Sequence, residues 1–97
     1  MTVTHPSVTL TSKATPSDEV LIQEVGGESV LLDLPSERYF GLDPVGTRIW
    51  ALLDEHDTLQ AIADTLCAEF DAEPERIRGD LLTLINELAE AGLVKVE

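Results

Sequence analysis

The sequence predicts a single α+β domain, built as a three-stranded antiparallel meander followed by three helices. Short apolar runs alternate with turn residues between positions 20 and 42, which is typical of strands. Between positions 44 and 90, apolar residues recur at the three- and four-residue spacing of amphipathic helices. The length of 97 residues and the apolar content of 43% suffice for one hydrophobic core.

The first two predicted strands form a hairpin. Residues 20–25 are mostly apolar, and Gly26 and Gly27 supply the positive φ angles that a two-residue hairpin turn requires. Residues 29–34 follow, and four of these six side chains are apolar. The residue types predict the strands themselves, but they leave the register open.

A third strand is predicted at residues 39–42, after a second turn at residues 35–37. It is the last strand of the meander and therefore lies at an edge of the sheet. No charged residue stands between Arg38 and Asp43. We therefore expect the backbone edge of this strand to be open to pairing with another chain.

The first helix is predicted over residues 44–53. The carboxylate of Asp43 can accept hydrogen bonds from free backbone N–H groups, and Pro44 suits the first helical position. Gly46 has a helix propensity about 1 kcal/mol below that of alanine, so its presence predicts close packing, with the preceding strand as the candidate neighbour. The apolar stripe of this helix consists of Val45, Ile49, Leu52 and Leu53.

Two further helices complete the prediction. Asp57 and Gln60 resemble a capping box that opens a helix over residues 58–70, and Pro74 opens another that ends near Ala91 and Gly92. The last residues predict an extended tail or a short strand. The apolar face of the second helix consists of Leu59, Ile62, Ala63, Leu66 and Phe70, and that of the third consists of Ile77, Leu81, Leu84 and Leu88.

The N-terminal segment differs from the rest of the chain. Residues 1–17 contain no acidic residue and are rich in Thr and Ser, which predicts a flexible tail before a domain at residues 18–97. The first residues lack the basic and apolar regions of a signal peptide, and no run of about 18 apolar residues could span a membrane. We therefore expect a cytoplasmic protein with no membrane partner.

The residues that usually carry catalysis or bind metals are few and scattered. Cys67 lies on the apolar face of the second helix, which indicates a core position rather than a reactive thiol. His5 lies in the predicted tail, and His56 lies in a polar loop, where it is expected to be solvated. We expect no catalytic residue, no metal site and no cofactor, so the chain is not predicted to be an enzyme.

The charge balance bears on the choice of partner. Six basic residues against 19 acidic ones give a formal charge of −13, which repels nucleic acids. A DNA-binding winged helix is the less favoured alternative, because the third helix offers only Arg76, Arg78 and Asn86 among several acids. The acidic surplus can serve solubility or steer a basic partner, and the sequence leaves both open.

The third helix has more apolar surface than a single stripe requires. A second stripe consists of Leu82, Ile85 and Ala89, and Arg78 continues it. One interpretation is a wide core face in a small domain. The other is that this stripe forms one wall of a groove whose opposite wall is the edge strand at residues 39–42.

One ordered series of residues carries a family resemblance: Leu31, Leu32, Asp33, Arg38 to Asp43, Gly46, Ile49, Trp50, Ile62, Ala63, Leu66 and Leu88 to Leu93. This series resembles the PqqD-like family, whose members recognise the precursors of ribosomally made, post-translationally modified peptides. The resemblance implies a winged helix-turn-helix arrangement and binding of a precursor leader peptide as an added strand on strand three, beside helix three. The implied contacts are Arg38, Tyr39, Phe40, Gly41, Leu42, Arg78, Leu82, Ile85 and Ala89.

The family resemblance further implies that the leader is presented to a modifying enzyme. Family members act beside radical S-adenosylmethionine (SAM) enzymes, or beside the leader peptidase of lasso-peptide maturation. In this reading, Arg78 pairs with an acidic leader residue. A general protein-interaction or scaffold domain remains an alternative, and an open edge strand also permits a homodimer.

Overall fold

The computed structural model describes residues 8–97. It contains a three-stranded sheet, three helices and a small two-stranded sheet, an α+β arrangement compatible with a winged helix. Residues 1–7, which include His5 and part of the predicted tail, lie outside the described residues. In chain order the elements are β1 (Ala14–Pro16), β2 (Val20–Val25), β3 (Glu28–Asp33), β4 (Arg38–Leu42), α1 (Pro44–Leu52), α2 (Leu59–Glu69), α3 (Pro74–Glu90) and β5 (Val94–Val96).

The predicted meander is confirmed as the antiparallel sheet β2-β3-β4. Gly26 and Gly27 have φ angles of +61° and +87°, which match the positive values of a type I′ turn. The structure also fixes the register: Val25 pairs with Glu28 across this turn, and Leu31 pairs with Phe40 of β4. Leu31 of β3 shares the inner face of the sheet with Phe40 and Leu42 of β4, whereas Val30 and Tyr39 lie on the exposed outer face.

The core lies between the helices and the inner face of this sheet. Each helix contributes side chains that are almost fully buried, as the predicted stripes require. Cys67 is half-buried and packs against the core, as expected. The most fully buried side chains are Leu31, Ile49, Leu52, Leu59, Ile62, Leu66, Leu81, Ile85 and Leu88.

A buried hydrogen bond links α1 to β3 of the sheet. The hydroxyl oxygens of Ser29 and Thr47 are 2.7 Å apart, and both residues are more than nine-tenths buried. This hydrogen bond satisfies the buried Ser29 hydroxyl, and the Thr47 hydroxyl also donates to the Leu42 carbonyl at 3.5 Å. Nothing in the sequence pattern indicated this pair.

Part of the predicted N-terminal tail is structured, in contrast to the prediction. Ala14–Pro16 form β1, which pairs antiparallel with β5, and Ala14 is 3% exposed. The carbonyl groups of Leu10 and Ser12 accept hydrogen bonds from the N–H groups of Gln60 and Leu59 at 2.8 and 3.0 Å. These hydrogen bonds order the segment, because its carbonyl groups pair with N–H groups that the first turn of α2 leaves without intrahelical partners.

The helix ends follow the predicted chemistry with one correction. Asp43 caps α1, because its side chain accepts a hydrogen bond from the Gly46 N–H at 2.7 Å. For α2 the N-cap is Thr58 rather than Asp57, since the Thr58 hydroxyl accepts from the Ala61 N–H at 3.3 Å.

At the end of α3, Gly92 has φ +79° and the Leu93 N–H reaches back to the carbonyl of Leu88. The Gly92 N–H bonds the Ala89 carbonyl, so the two bonds form a Schellman motif. The predicted end of the third helix is thus confirmed.

Candidate functional site

The outer edge of β4 is free among the described residues, because β4 pairs only with β3. The two-residue turn places Val25 and Glu28 in a hydrogen-bonded pair, and such pairs alternate along an antiparallel ladder. The Leu34 N–H donates to the Glu19 carbonyl at 3.0 Å, as this alternation requires. It follows that β4 uses its even-numbered residues to bond β3, and that the N–H and C=O groups of Tyr39 and Gly41 point away from the sheet.

A cleft of ≈ 720 Å³ opens between the second half of β4 and one flank of α3. The strand borders one side of the cleft and α3 borders the other. The floor consists of inward-facing side chains of both, together with those of α1 and of the turn that connects α2 to α3. The lining residues are Phe40, Gly41, Leu42, Asp43, Val45, Gly46, Ile49, Phe70, Ala72, Arg76, Ile77, Asp80, Thr83, Leu84 and Glu87.

The floor of the cleft is apolar. Leu42, Ile49 and Ile77 are buried, whereas Phe40 and Leu84 are half-buried and present part of their side chains at the surface. Apolar surface of this kind is stabilised when a partner side chain removes it from water. The cleft can therefore accept apolar side chains from a segment that lies along it.

Gly46 lets α1 approach the end of β4 closely. A methyl group at this position would lie 3.3 Å from both the Asp43 carboxylate and the Leu42 side chain. The predicted close packing against the preceding strand is thus confirmed, and the strand passes directly into the capped helix. This junction fixes the position of the β4 edge relative to the floor of the cleft.

The exposed rim of the α3 wall is polar. Arg76, Asp80, Thr83 and Glu87 follow one another at four-, three- and four-residue spacing, so they share one face of the helix. The Arg76 guanidinium lies 3.8 Å from the Asp80 carboxylate, and both side chains are largely exposed. The Glu87 carboxylate makes no hydrogen bond or ion pair within residues 8–97.

An ion pair positions the end of α2 next to the cleft. The Arg48 guanidinium donates two hydrogen bonds to the Glu69 carboxylate, at 2.8 and 2.6 Å. The hydrogen bond with Arg48 lowers the pKa of Glu69, and the hydrogen bond with Glu69 raises the pKa of Arg48. This pair joins α1 to α2 one residue before Phe70, which lines the cleft.

The predicted contacts on β4 lie at the free edge. Phe40, Gly41 and Leu42 line the cleft, whereas Arg38 and Tyr39 are exposed on the first half of the strand. Tyr39 is 74% exposed and belongs to the outer face of the sheet. Peptide contact by all five residues stays a prediction.

The predicted contacts on α3 lie outside the cleft. Ile85 is 0% exposed and belongs to the core, because it follows Leu81 by one helical turn. Arg78, Leu82 and Ala89 are half-buried and do not line the cleft. The burial of Ile85 fits the wide core face, one of the two interpretations of the second stripe. Peptide contact by Arg78, Leu82 and Ala89 stays a prediction.

The cleft is formed by the other flank of α3, which the sequence analysis did not identify. Leu84 was assigned to the core stripe, and Asp80, Thr83 and Glu87 were not assigned to the groove. The spacing of Ile77 and Leu84 at i and i+7 placed them together, but it could not show that the strand edge would lie opposite them.

The metal, histidine and membrane-spanning features considered in the sequence were also compared with the structure. Within the described residues no group of three or more His, Cys, Asp or Glu side chains could hold a metal ion. His56 is half-buried and lies 3.2 Å from the Thr65 hydroxyl, a less solvated position than expected. Over residues 8–97, no helix is long and apolar enough to cross a membrane.

Comparisons with known proteins agree with this architecture. Residues 28–94 match the family model described as coenzyme PQQ synthesis protein D (PqqD). No curated protein matches the chain significantly.

Two solved structures are similar to the chain. One, described as TbiB1 in complex with the TbiA(beta) leader peptide, is 38% identical with a TM-score of 0.77, over 84% of this chain and 94% of that chain. The other, lasso peptide synthetase B1 complexed with the leader peptide, is 26% identical with a TM-score of 0.74, over 86% of this chain and 98% of that chain.

Proposed function

The chain belongs to the PqqD family, and from that premise we propose that it binds the leader segment of a ribosomally made precursor peptide and presents it to a modifying enzyme. The leader adds as a strand to the free edge of β4 and lies in the cleft beside α3. The protein itself contributes binding rather than catalysis, and it acts in the cytoplasm, where precursor peptides are translated.

The observation that carries this proposal is the free backbone edge beside an apolar cleft. Tyr39 and Gly41 offer two N–H donors and two C=O acceptors, which suit an extended peptide. Alternate side chains of an added strand point to the same face, so every second leader residue lies over the floor formed by Phe40, Leu42 and Leu84. Backbone pairing contributes affinity, and the floor contributes selectivity for apolar residues.

The two similar structures support one class of pathway. Both are described as bound to leader peptides, and the second is a lasso peptide synthetase component. The second structure, which is 26% identical over 98% of its own chain, supports lasso-peptide maturation, in which the partner enzyme is a leader peptidase. Synthesis of a quinone cofactor beside a radical SAM enzyme is the second candidate, because the family model carries that description.

The test is fluorescence anisotropy with labelled leader peptides of precursors encoded beside the gene for this chain. The parent protein is expected to bind one of them, and Leu84→Gln is expected to weaken binding at least about tenfold through loss of an apolar floor contact. Leu82→Gln is the matched control, since both leucines are half-buried on α3 but only Leu84 lines the cleft.

The two variants remove a similar apolar side chain, so their melting temperatures should fall by similar amounts. Equal binding by parent and Leu84→Gln, together with a loss in Leu82→Gln, would show that the leader lies on the other flank of α3. Failure of every leader to bind would contradict the proposal and favour a general scaffold domain.

The same free edge supports a second assembly, a homodimer in which two copies of β4 pair. Such pairing would cover Tyr39 and Gly41 and compete with the leader. Light scattering after size exclusion, with and without leader peptide, distinguishes the cases. A dimer that dissociates when the leader is added indicates competition for one edge.

A further inference from the structure

The polar rim of α3 gives the cleft a charge preference. Resting on the proposed function, we infer that the leader segment recognised by this chain carries a lysine or arginine at a position that faces the cleft, beside an apolar residue that fills the floor. This reverses the acidic leader residue that pairing with Arg78 implied.

The charges that line the cleft carry this inference. Asp43, Asp80 and Glu87 are acidic, and Arg76 is the only basic residue among the described residues that line it. Arg76 already lies beside Asp80, whereas the Glu87 carboxylate has no partner within residues 8–97. The carboxylate of Asp43 is engaged by the Gly46 N–H. A guest cation therefore has Glu87 available without displacing any existing contact.

The geometry of a guest strand fits this distribution. Residues of a strand that point to the same face are about 6.6 Å apart, and Asp80 and Glu87 are separated along α3 by about 10.5 Å. A long lysine or arginine side chain at an inward position can thus reach the rim while the inward residue two positions away lies on the floor. The net charge of −13 also favours basic peptides, because it attracts them over a longer range than the rim residues do.

The experiment must separate the charge preference caused by the rim residues from the attraction caused by the net charge of the whole protein. The double variant Asp80→Lys/Glu87→Lys reverses the rim. The control Asp54→Lys/Asp64→Lys reverses two exposed acids that do not line the cleft. Each double variant changes the formal charge from −13 to −9, so the two have the same net charge and place the reversed charges at different sites.

The probe is a displayed library of random 12-residue peptides, and peptides that bind parent but not Gly41→Pro are retained as dependent on the β4 edge. Among these we expect Lys and Arg to exceed Asp and Glu next to an apolar anchor. The rim variant should prefer acidic residues, and the control variant should keep the basic preference. Individual peptides should bind the parent roughly 3- to 10-fold more weakly in 0.3 M than in 0.05 M NaCl.

Each outcome bears on the inference. Edge-dependent peptides without a charge preference, or an equal reversal in the rim and control variants, would overturn it and leave the proposed function standing. If no peptide depends on the β4 edge in any variant, the proposed function fails and the inference fails with it.

Discussion

Replacing Gly41 with proline is expected to block strand addition while the domain remains folded. Proline lacks the N–H group that Gly41 directs away from the sheet, and its ring occupies the space that a guest strand would need. Proline is tolerated on edge strands where the missing N–H faces solvent. The position is also roomy, because a Cβ atom at Gly41 would meet nothing within 4 Å.

The size of the effect follows from the hydrogen bonds at this edge. Gly41→Pro removes a backbone hydrogen bond and leaves its carbonyl partner on the leader unsatisfied, which together cost about 1–3 kcal/mol. A loss of about 1–3 kcal/mol corresponds to a roughly 5- to 160-fold larger dissociation constant. Gly41→Ala keeps the N–H group and should bind within about threefold of the parent, because little of the backbone bonding is changed.

Fluorescence anisotropy with a labelled leader peptide measures this effect, and circular dichroism melts of the free proteins report whether each variant folds. The decisive comparison is between Gly41→Pro and Gly41→Ala, since they share the position and differ in the N–H group. If Gly41→Pro is folded and binds the leader as tightly as Gly41→Ala, the leader does not pair with β4, and the reasoning about its free edge is refuted.

Three further predictions concern stability. Ser29→Ala should lower the free energy of unfolding by about 1–2 kcal/mol in urea titrations. The loss should be smaller in a Thr47→Val background, because the hydroxyl that Ser29 contacts is then absent. If the effects of the two substitutions on the free energy of unfolding simply add, the hydrogen bond between these residues is contradicted. Glu69→Gln should lower the melting temperature at pH 7. Arg48 lowers the folded-state pKa of Glu69, so the stability that the ionised Glu69 contributes is fully present above the ordinary carboxyl pKa of about 4.3. This stability is lost as pH falls through the lowered pKa, and the melting temperatures of parent and variant should therefore converge in acid. Gly92→Ala should cost about 1 kcal/mol, because φ is +79° there, and an unchanged melting temperature would count against the Schellman motif.

Local chemistry explains why much of the fold could be predicted. Two glycines determine the hairpin turn, and Asp43 with Pro44 determines where α1 begins, because the required φ angles and cap hydrogen bonds involve only neighbouring residues. The N-terminal segment was mispredicted for the opposite reason. Its order depends on β5 and on the N–H groups at the start of α2, which are far away in sequence.

The sequence by itself determined the meander, the three helices and the edge position of β4, since each depends on residue periodicity or on adjacent residues. Only the tertiary structure decided which flank of α3 faces that edge. The helix has apolar residues on both sides of its core stripe, and periodicity places Leu82 and Leu84 on different flanks without assigning either to the strand. That choice depends on how α3 packs against α2, β5 and α1, a long-range arrangement that buries Ile85 and leaves Leu84 beside the free edge.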